Sequence, residues 1–266
     1  MLLQAFPAGK GYDEALFAET IALDDPRFLD AVYERARETA GHPVPAAFCP
    51  PVWTFRPDST EPFEGLCISI DADFMPNAGR DRLERTLGPA TIVIASGGNC
   101  LGTGEPRLHL YWRLASPAVT PEDRALLADV REQAIRLAIA DRGIFPLRWP
   151  GSWHRKGDPK LARIIFESET EIDLNVAMSR LQEGFDQLTD VEQLAIDLED
   201  QINHFACLIA DLAIPELLEM FEFAAREYGL SLLQYLRAMI RLWATGSGLP
   251  IGDCAAPASV AKPLIH

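Results

Sequence analysis

The chain has 266 residues, of which 48% are hydrophobic, and its formal net charge is −15 at neutral pH. This length and hydrophobic content are enough for a sizeable core, in one large domain or two smaller ones. The acidic balance by itself argues against a nucleic-acid partner, which usually requires a basic surface. No stretch of about 18 apolar residues is present that would span a membrane.

The N-terminus and the cysteines indicate a compartment. The first residues, MLLQAFPAGKG, lack the basic start and the apolar run of a secretory signal. The five cysteines are scattered and include no CxxC pair. This distribution fits thiols in a reducing cytosol better than a disulfide framework or a zinc site. We therefore expect a cytoplasmic protein.

The charge is unevenly distributed along the chain. Residues 101–165 contain 11 Lys/Arg and 7 Asp/Glu, whereas residues 167–200 contain 1 and 11. A mildly basic middle is thus followed by a strongly acidic segment, for which a solvated helix face is the ordinary interpretation.

The elements of the N-terminal two thirds alternate between helix and strand. Residues 26–40 predict a helix that Gly41 ends, and the proline-rich segment 42–51 predicts a connector. Strands are predicted at 66–73, 91–96, 107–114 and 161–166. A helix is predicted over 121–140, with Thr120 as its cap and Pro121 at its first position. Its apolar face contains Leu126, Leu127, Val130, Ala134, Leu137 and Ala138.

After about residue 175 the pattern predicts only helices. Thr189 and Glu192 have the spacing of a capping box, and Pro215 and Gly229 separate two further helices. The tail from Gly246 is predicted to be loose. We therefore expect an α/β domain over 1–174 and a helical C-terminal domain over 175–266.

The stretch GLCISIDADF (65–74) ends a predicted strand in two acids. Because side chains alternate along a strand, Asp71 and Asp73 share a face with Ser69 and Cys67. Two carboxylates about 7 Å apart at their Cα atoms repel each other unless a positive charge lies between them. A divalent cation such as Mg²⁺ takes carboxylate oxygens and often binds substrate phosphates. The alternative is a pair of solvated aspartates at the end of a strand.

The stretch RLHLYWRL (107–114) has one apolar face, and its other face carries Arg107, His109, Tyr111 and Arg113. Guanidinium and imidazole groups suit an anionic ligand, although a solvated outer face has the same alternation. Just upstream, SGGNCLGTG offers Ser96 and several glycines as a weak phosphate cradle, but a flexible hairpin loop is favoured because neither established glycine fingerprint matches.

The stretch LRWPGSWHRKGDPK (147–160) is a basic segment punctuated by prolines and glycines, which predicts a loop of defined shape. Its positive or titratable residues are Arg148, His154, Arg155, Lys156 and Lys160. Trp149 and Trp153 add surfaces on which a base could stack. The alternative is a basic turn that the two tryptophans anchor. Paired acids, a strand with a histidine and a basic loop together form a set suited to a polyphosphate.

In this order, IDADF, SGG…LHLYWRL and LRWPGSWHRKGDP resemble the motifs of archaeo-eukaryotic-type primase-polymerases, especially RepB-like replicative primases of plasmids and phages. The resemblance covers roughly residues 45–170. It implies an α/β core with an RRM-like mixed sheet. It also implies template-directed nucleotidyl transfer from NTP or dNTP onto a 3′-hydroxyl, on a single-stranded DNA template, with a replicative helicase or another replication protein as a partner.

The resemblance also implies roles for single residues. Asp71, Asp73 and a third acid would hold two Mg²⁺ or Mn²⁺ ions; Asp141 is the best match for the third acid, and Asp158 is a poorer one. His109 would contact the incoming triphosphate. Phosphates of nucleotide or template would be bound by Ser96, Arg107, Arg113, Arg148, His154, Arg155 and Lys156.

The sequence departs from the family pattern in two places. Arg107 stands where the family usually has a small hydroxyl residue, two positions before the histidine, and the residues NCLGTGEPR separate SGG from LHLYW. Two other classes stay open: a catalytically inactive nucleic-acid-binding or nucleotide-binding relative, and a DxD metal-dependent nucleotide-sugar transferase. The second would explain Asp71 and Asp73 but gives no reason for the basic loop.

Overall fold

The computed structural model describes residues 1–7, 15–55, 62–100, 104–140, 147–155, 159–212, 215–227 and 232–244. The chain divides into two compact units, Met1–Asp200 and Gln201–His266. The sequence pattern places this division near residue 174. The first unit extends further because Leu174, Ala177, Leu181 and Ile196 belong to its hydrophobic core. The tail after Gly246 lies outside the described residues.

The first unit contains strands and helices in alternation. Its described strands are β1 (Leu2–Pro7), β2 (Phe17–Thr20), β3 (Ala46–Phe48), β4 (Trp53–Phe55), β5 (Pro62–Ala72), β6 (Ile92–Asn99), β7 (Pro106–Ala118), β8 (Trp153–His154), β9 (Lys160–Leu161), β10 (Arg163–Glu167) and β11 (Glu171–Ile172). Its helices are α1 (Phe28–Gly41), α2 (Pro76–Leu87), α3 (Pro121–Ala138), α4 (Leu174–Asp186) and the first part of α5 (Asp190–Leu212).

The second unit contains the end of α5, followed by α6 (Pro215–Glu227) and α7 (Leu232–Ala244). Helices α6 and α7 pack together, with the rings of Phe221 and Tyr235 6.5 Å apart between centroids. Within the described part of the chain, no helix combines the length and the apolar character needed to cross a membrane.

A mixed sheet forms the centre of the first unit, with the strand order β10-β6-β7-β5-β4. Neighbouring strands along this path are antiparallel, and β11 adds a short parallel pairing to β7. The four strands that the sequence predicts all have counterparts in this sheet. The prediction of a single strand over 161–166 is wrong in one respect, because Lys160–Leu161 pairs with Trp153–His154 and the sheet strand begins only at Arg163.

One face of this sheet is covered by helices. The alternating apolar residues Ile68, Ile70, Leu110 and Trp112 are buried there against α2, α3 and α4. The predicted cap of α3 is confirmed, since the backbone N–H of Asp123 donates to Thr120 Oγ1 at 3.1 Å. The predicted helix over 121–140 ends earlier, at Ala138, because Ile139 has a left-handed backbone with φ of 56°.

The capping box that opens α5 is also confirmed. The backbone N–H of Thr189 donates to the Glu192 carboxylate at 3.1 Å, and the backbone N–H of Glu192 donates to Thr189 Oγ1 at 3.3 Å. These bonds satisfy amides that the first turn of a helix leaves without intrahelical acceptors.

A small N-terminal sheet with the order β2-β1-β3 was not predicted. Its strand β3 lies inside the proline-rich segment 42–51, so the prediction of a connector is wrong at Ala46–Phe48. A strand of three residues, such as β3, carries too few residues for alternation to reveal it. Trp149 joins this sheet to the basic segment, because its backbone N–H donates to Phe48 O at 3.1 Å and its Nε1–H donates to Pro50 O at 2.8 Å.

Candidate active site

The face of the central sheet opposite the helices carries the two acids. Asp71 is paired in register with His109 on β7, and Ile94 of β6 lies on the other side of His109. The side chains of Asp71 and Asp73 are only 12% and 11% exposed. Each has a basic side chain beside it: Arg107 Nη1 lies 3.0 Å from Asp73 Oδ2, and His109 Nε2 lies 3.7 Å from Asp71 Oδ1. Arg107 therefore supplies a positive charge beside Asp73, where the sequence alone called for one.

His109 is a buried, neutral imidazole. Burial is the main reason that its pKa is lowered to about 4, and the Arg148 guanidinium adds to the effect. Its Nδ1 lies 3.2 Å from the backbone oxygen of Arg148. Because a carbonyl can only accept, Nδ1 carries the proton, and the unprotonated Nε2 has no hydrogen to donate to the Asp71 carboxylate. At neutral pH the 3.7 Å approach is thus a contact between a neutral ring and a carboxylate, not an ion pair.

The side chain of Arg107, on β7, runs along the end of β6 toward Asp73. Its Nε donates to the backbone oxygen of Asn99 at 3.1 Å. A Cβ atom placed on Gly98 would stand 3.0 Å from Arg107 Cδ and 3.5 Å from His154 Nε2. The absence of a side chain at Gly98 therefore lets Arg107 and His154 lie close to the backbone of β6.

The stretch SGGNCLGTG was predicted to form a flexible hairpin loop at the end of the strand 91–96, and this prediction is wrong for Gly97, Gly98 and Asn99. Ser96 through Asn99 form the end of β6, with Gly97 at a φ of 90°. A Cβ atom on Gly97 would stand 2.8 Å from the Cβ atom of His154. Ser96 itself is buried, and its backbone oxygen accepts from Arg148 Nη1 at 3.0 Å.

Part of the basic segment lies against the same face. Leu147 and Ala162 form a small apolar cluster with Ile94 and Tyr111. Arg148 is held between His109 and Ser96, and among the described residues its buried Nε has no hydrogen-bond partner. His154 lies over the two glycines, and Lys160 Nζ donates to Asn99 Oδ1 at 3.3 Å.

Other predicted site residues make their contacts elsewhere. Arg155 Nη1 donates to the backbone oxygens of Ala40 and His42, at the end of α1, at 3.0 and 2.8 Å. Arg113 is half exposed and is paired with Glu171 at 2.9 Å. These contacts are with residues outside the Asp71–His109 cluster.

The two tryptophans of the basic segment differ in exposure. Trp149 packs edge-on against Phe48 with ring centroids 6.1 Å apart, whereas Trp153 is 41% exposed. Trp153 is thus the more exposed of the two rings, and Trp149 is partly buried. Asp141, Lys156 and Asp158 lie outside the described residues.

Arg131 is a neighbour of the site that the sequence did not reveal. From α3, its Nε donates to the backbone oxygen of Ser69 at 2.9 Å. Burial lowers the pKa of Arg131, and the Asp71 carboxylate opposes that shift. Burial also raises the pKa of the Cys67 thiol to about 12, so this thiol is not a nucleophile at neutral pH. No sequence signal distinguishes Arg131 from other polar residues of a helix.

The donor set can be compared with the needs of a divalent cation. Two carboxylates on one face at the end of a strand are suitable hard ligands, and water would complete the coordination of Mg²⁺ or Mn²⁺. The described residues contain no group of three or more His, Cys, Asp or Glu side chains that could hold a metal ion. Asp71 and Asp73 therefore fit a partial site, in which Arg107 already occupies one oxygen of Asp73.

Comparisons with known proteins give one structural match. No protein-family model matches the chain, and no curated protein matches it either. Among solved structures, the chain is similar to the AEP domain of the cyanophage S-2L primase-polymerase, with 16% sequence identity and a TM-score of 0.47. The match covers 68% of this chain and 88% of that domain. A similarity this distant carries no conclusion about activity.

Proposed function

We propose that this chain is a nucleotidyltransferase of the primase-polymerase type. It would extend a primer on a single-stranded DNA template from NTP or dNTP, in the replication of a plasmid, a phage or another mobile element. The observation that supports the proposal is the convergence of three separate segments. Asp71 of the first lies beside His109 of the second, which in turn donates to Arg148 of the third, 39 residues further along the chain.

The proposed roles follow from the contacts. Asp71 and Asp73 would bind the metal, with Asp141 as the proposed third acid. When bound, a divalent cation would polarise the reacting phosphate and favour ionisation of the attacking hydroxyl. The β5–β7 pairing sets Asp71 at one end of the sheet, and Asp73 follows directly after β5, so that both carboxylates would be available to the same cation.

His109 would act mainly on Arg148. Its Nδ1–H donates to the Arg148 backbone oxygen, and the Arg148 guanidinium donates to the Ser96 backbone oxygen. The buried Nε of Arg148 has no hydrogen-bond partner within the described residues. A guanidinium arranged in this way suits a phosphate oxygen. Contact between His109 Nε2 and the triphosphate would require protonation of the ring, which a nearby polyanion favours.

Lys160 and, when protonated, His154 would bind the remaining phosphate charge. Both residues lie against the end of β6, where Gly97 and Gly98 leave room for His154 because they lack side chains. Trp153, which is 41% exposed, would stack on a base of the template or the nucleotide. A replicative helicase or a similar replication protein is the proposed partner.

Primer extension tests this proposal. With Mn²⁺, dNTP and a primed single-stranded template, we expect Asp71→Asn and Asp73→Asn each to reduce incorporation by at least about a hundredfold, because either change removes a metal-binding charge. Asp129→Asn, which changes an exposed acid on α3 in the same way, should extend primers normally. Circular dichroism would verify that all variants are folded. Extension at the wild-type rate by either site variant would refute the assignment.

A second candidate is a relative that binds nucleotide without catalysis. The Arg107–Asp73 pair favours it, since one carboxylate of the proposed metal site already has a cationic partner. The same assay separates the two candidates. Nucleotide binding by the wild-type protein without any incorporation, at high Mn²⁺ and with a primed template, would support the inactive relative.

A further inference from the structure

Arg107 is held against Asp73 by more than one contact. Its Nη1 donates to Asp73 Oδ2 at 3.0 Å, and its Nε donates to the backbone oxygen of Asn99 at 3.1 Å. The side chains of Arg107 and Asp73 are only 16% and 11% exposed. An ion pair with so little exposure is screened by water and salt less than a surface pair is.

The neighbouring strand leaves room for this arrangement. A Cβ atom on Gly98 would stand only 3.0 Å from Arg107 Cδ, so a side chain at position 98 would require a shift of a few tenths of an ångström. The glycine therefore favours the close path of Arg107 along β6 to Asp73.

A guanidinium and a divalent cation compete for the same carboxylate oxygens. Both interact with a carboxylate at short range, and the two cations repel each other when they share it. A metal ion at Asp73 therefore requires Arg107 to withdraw, or to tolerate a second positive charge a few ångströms away.

We propose that Arg107 is an internal competitor for the divalent cation at Asp73. The inference rests on the proposed function, in which Asp71 and Asp73 are the cation ligands. Arg107 keeps the metal affinity of the nucleotide-free protein low. A phosphate group of an incoming nucleotide offers the guanidinium an alternative bidentate partner, so the nucleotide and the cation favour each other's binding, and by linkage the effect is reciprocal.

Mn²⁺ titration of the full-length, nucleotide-free protein tests this inference without any activity measurement. Electron paramagnetic resonance reports the free Mn²⁺, and Arg107→Gln removes the competing charge while keeping a side chain of similar length. We expect the Mn²⁺ Kd to fall about tenfold, which corresponds to about 1.4 kcal/mol.

Two controls isolate the contact from general electrostatics. Arg85→Gln removes the same charge from an arginine that is paired with Glu192, also at 3.0 Å. It should change the Mn²⁺ Kd less than about twofold. Arg85 and Glu192 lie on α2 and α5 and make no contact with Asp73 among the described contacts, and water and salt screen the exposed Arg85 charge. In the double variant Arg107→Gln/Asp73→Asn the gain should disappear, since it depends on the Asp73 carboxylate.

The outcomes separate the two levels of the proposal. An equal Kd for the wild-type protein and Arg107→Gln, or an equal gain in Arg85→Gln, would overturn the inference and leave the metal site standing. Absence of Mn²⁺ binding in every variant would overturn both the inference and the proposed metal ligands. Arg107→Ser provides a second variant for the same measurement, and thermal unfolding shows that each protein used is folded.

Discussion

The burial of His109 makes a sharp prediction about pH and stability. The imidazole is 5% exposed, and its pKa is lowered to about 4 by burial and, secondarily, by the Arg148 guanidinium. In the unfolded chain an ordinary histidine has a pKa of about 6.5. Between these two values the unfolded state binds a proton that the folded state does not, so the free energy of unfolding falls as the pH is lowered.

The size of the effect follows from the two pKa values. The stabilisation is fully present above pH about 6.5 and is lost as the pH falls from there toward 4. At pH 5 the lost contribution is about 2 kcal/mol, and the limit at lower pH is on the order of 3 kcal/mol.

The replacement His109→Asn removes the titration and retains an N–H donor for the backbone oxygen of Arg148. Urea unfolding of both proteins at several pH values between 7.5 and 5 gives the measurement. We expect the free energy of unfolding of the wild-type protein to drop by about 2 kcal/mol more than that of His109→Asn over this range. The carboxylates titrate in both proteins, so their contribution cancels in the difference. Parallel pH profiles would refute the neutral, buried state of His109.

Two other substitutions test contacts that only the structure revealed. Arg155→Met should lower the free energy of unfolding by about 1–2 kcal/mol, because the carbonyls at the end of α1 lose their donor. The salt dependence of single-stranded DNA binding should not change. If the slope of log binding constant against log salt concentration became shallower by about 0.7, Arg155 would instead contact a template phosphate. Gly79→Ala should destabilise the protein by about 1 kcal/mol despite the higher helix propensity of alanine, because its Cβ atom would stand 2.7 Å from Ala138 O. Gly41→Ala is the control, since no atom of the described residues lies within 4 Å of a Cβ atom there. Equal melting temperatures for the two glycine variants would contradict the packing of α2 on α3.

The amino-acid sequence determined the local features of this protein. Alternation along 66–73 and 107–114 separated the apolar face from the one that carries Asp71 and His109, and the structure has the same two faces. The caps at Thr120 and Thr189 were readable because a cap is a contact between residues three positions apart. The resemblance of three segments to primase-polymerases pointed to the residues around which the proposed site is built.

Only the tertiary structure decided which of these residues meet. The Arg107–Asp73 pair joins positions 34 residues apart, Arg131 reaches Ser69 across 62 residues, and Arg155 reaches Ala40 across 115. The basic segment and the family resemblance predicted phosphate binding for both Arg148 and Arg155. In the structure, Arg155 donates to the end of α1, whereas Arg148 donates to the sheet beside His109. The period of a strand or a helix is a local property of the backbone, whereas the pairing register and the burial of a charge depend on segments brought together only when the whole core forms.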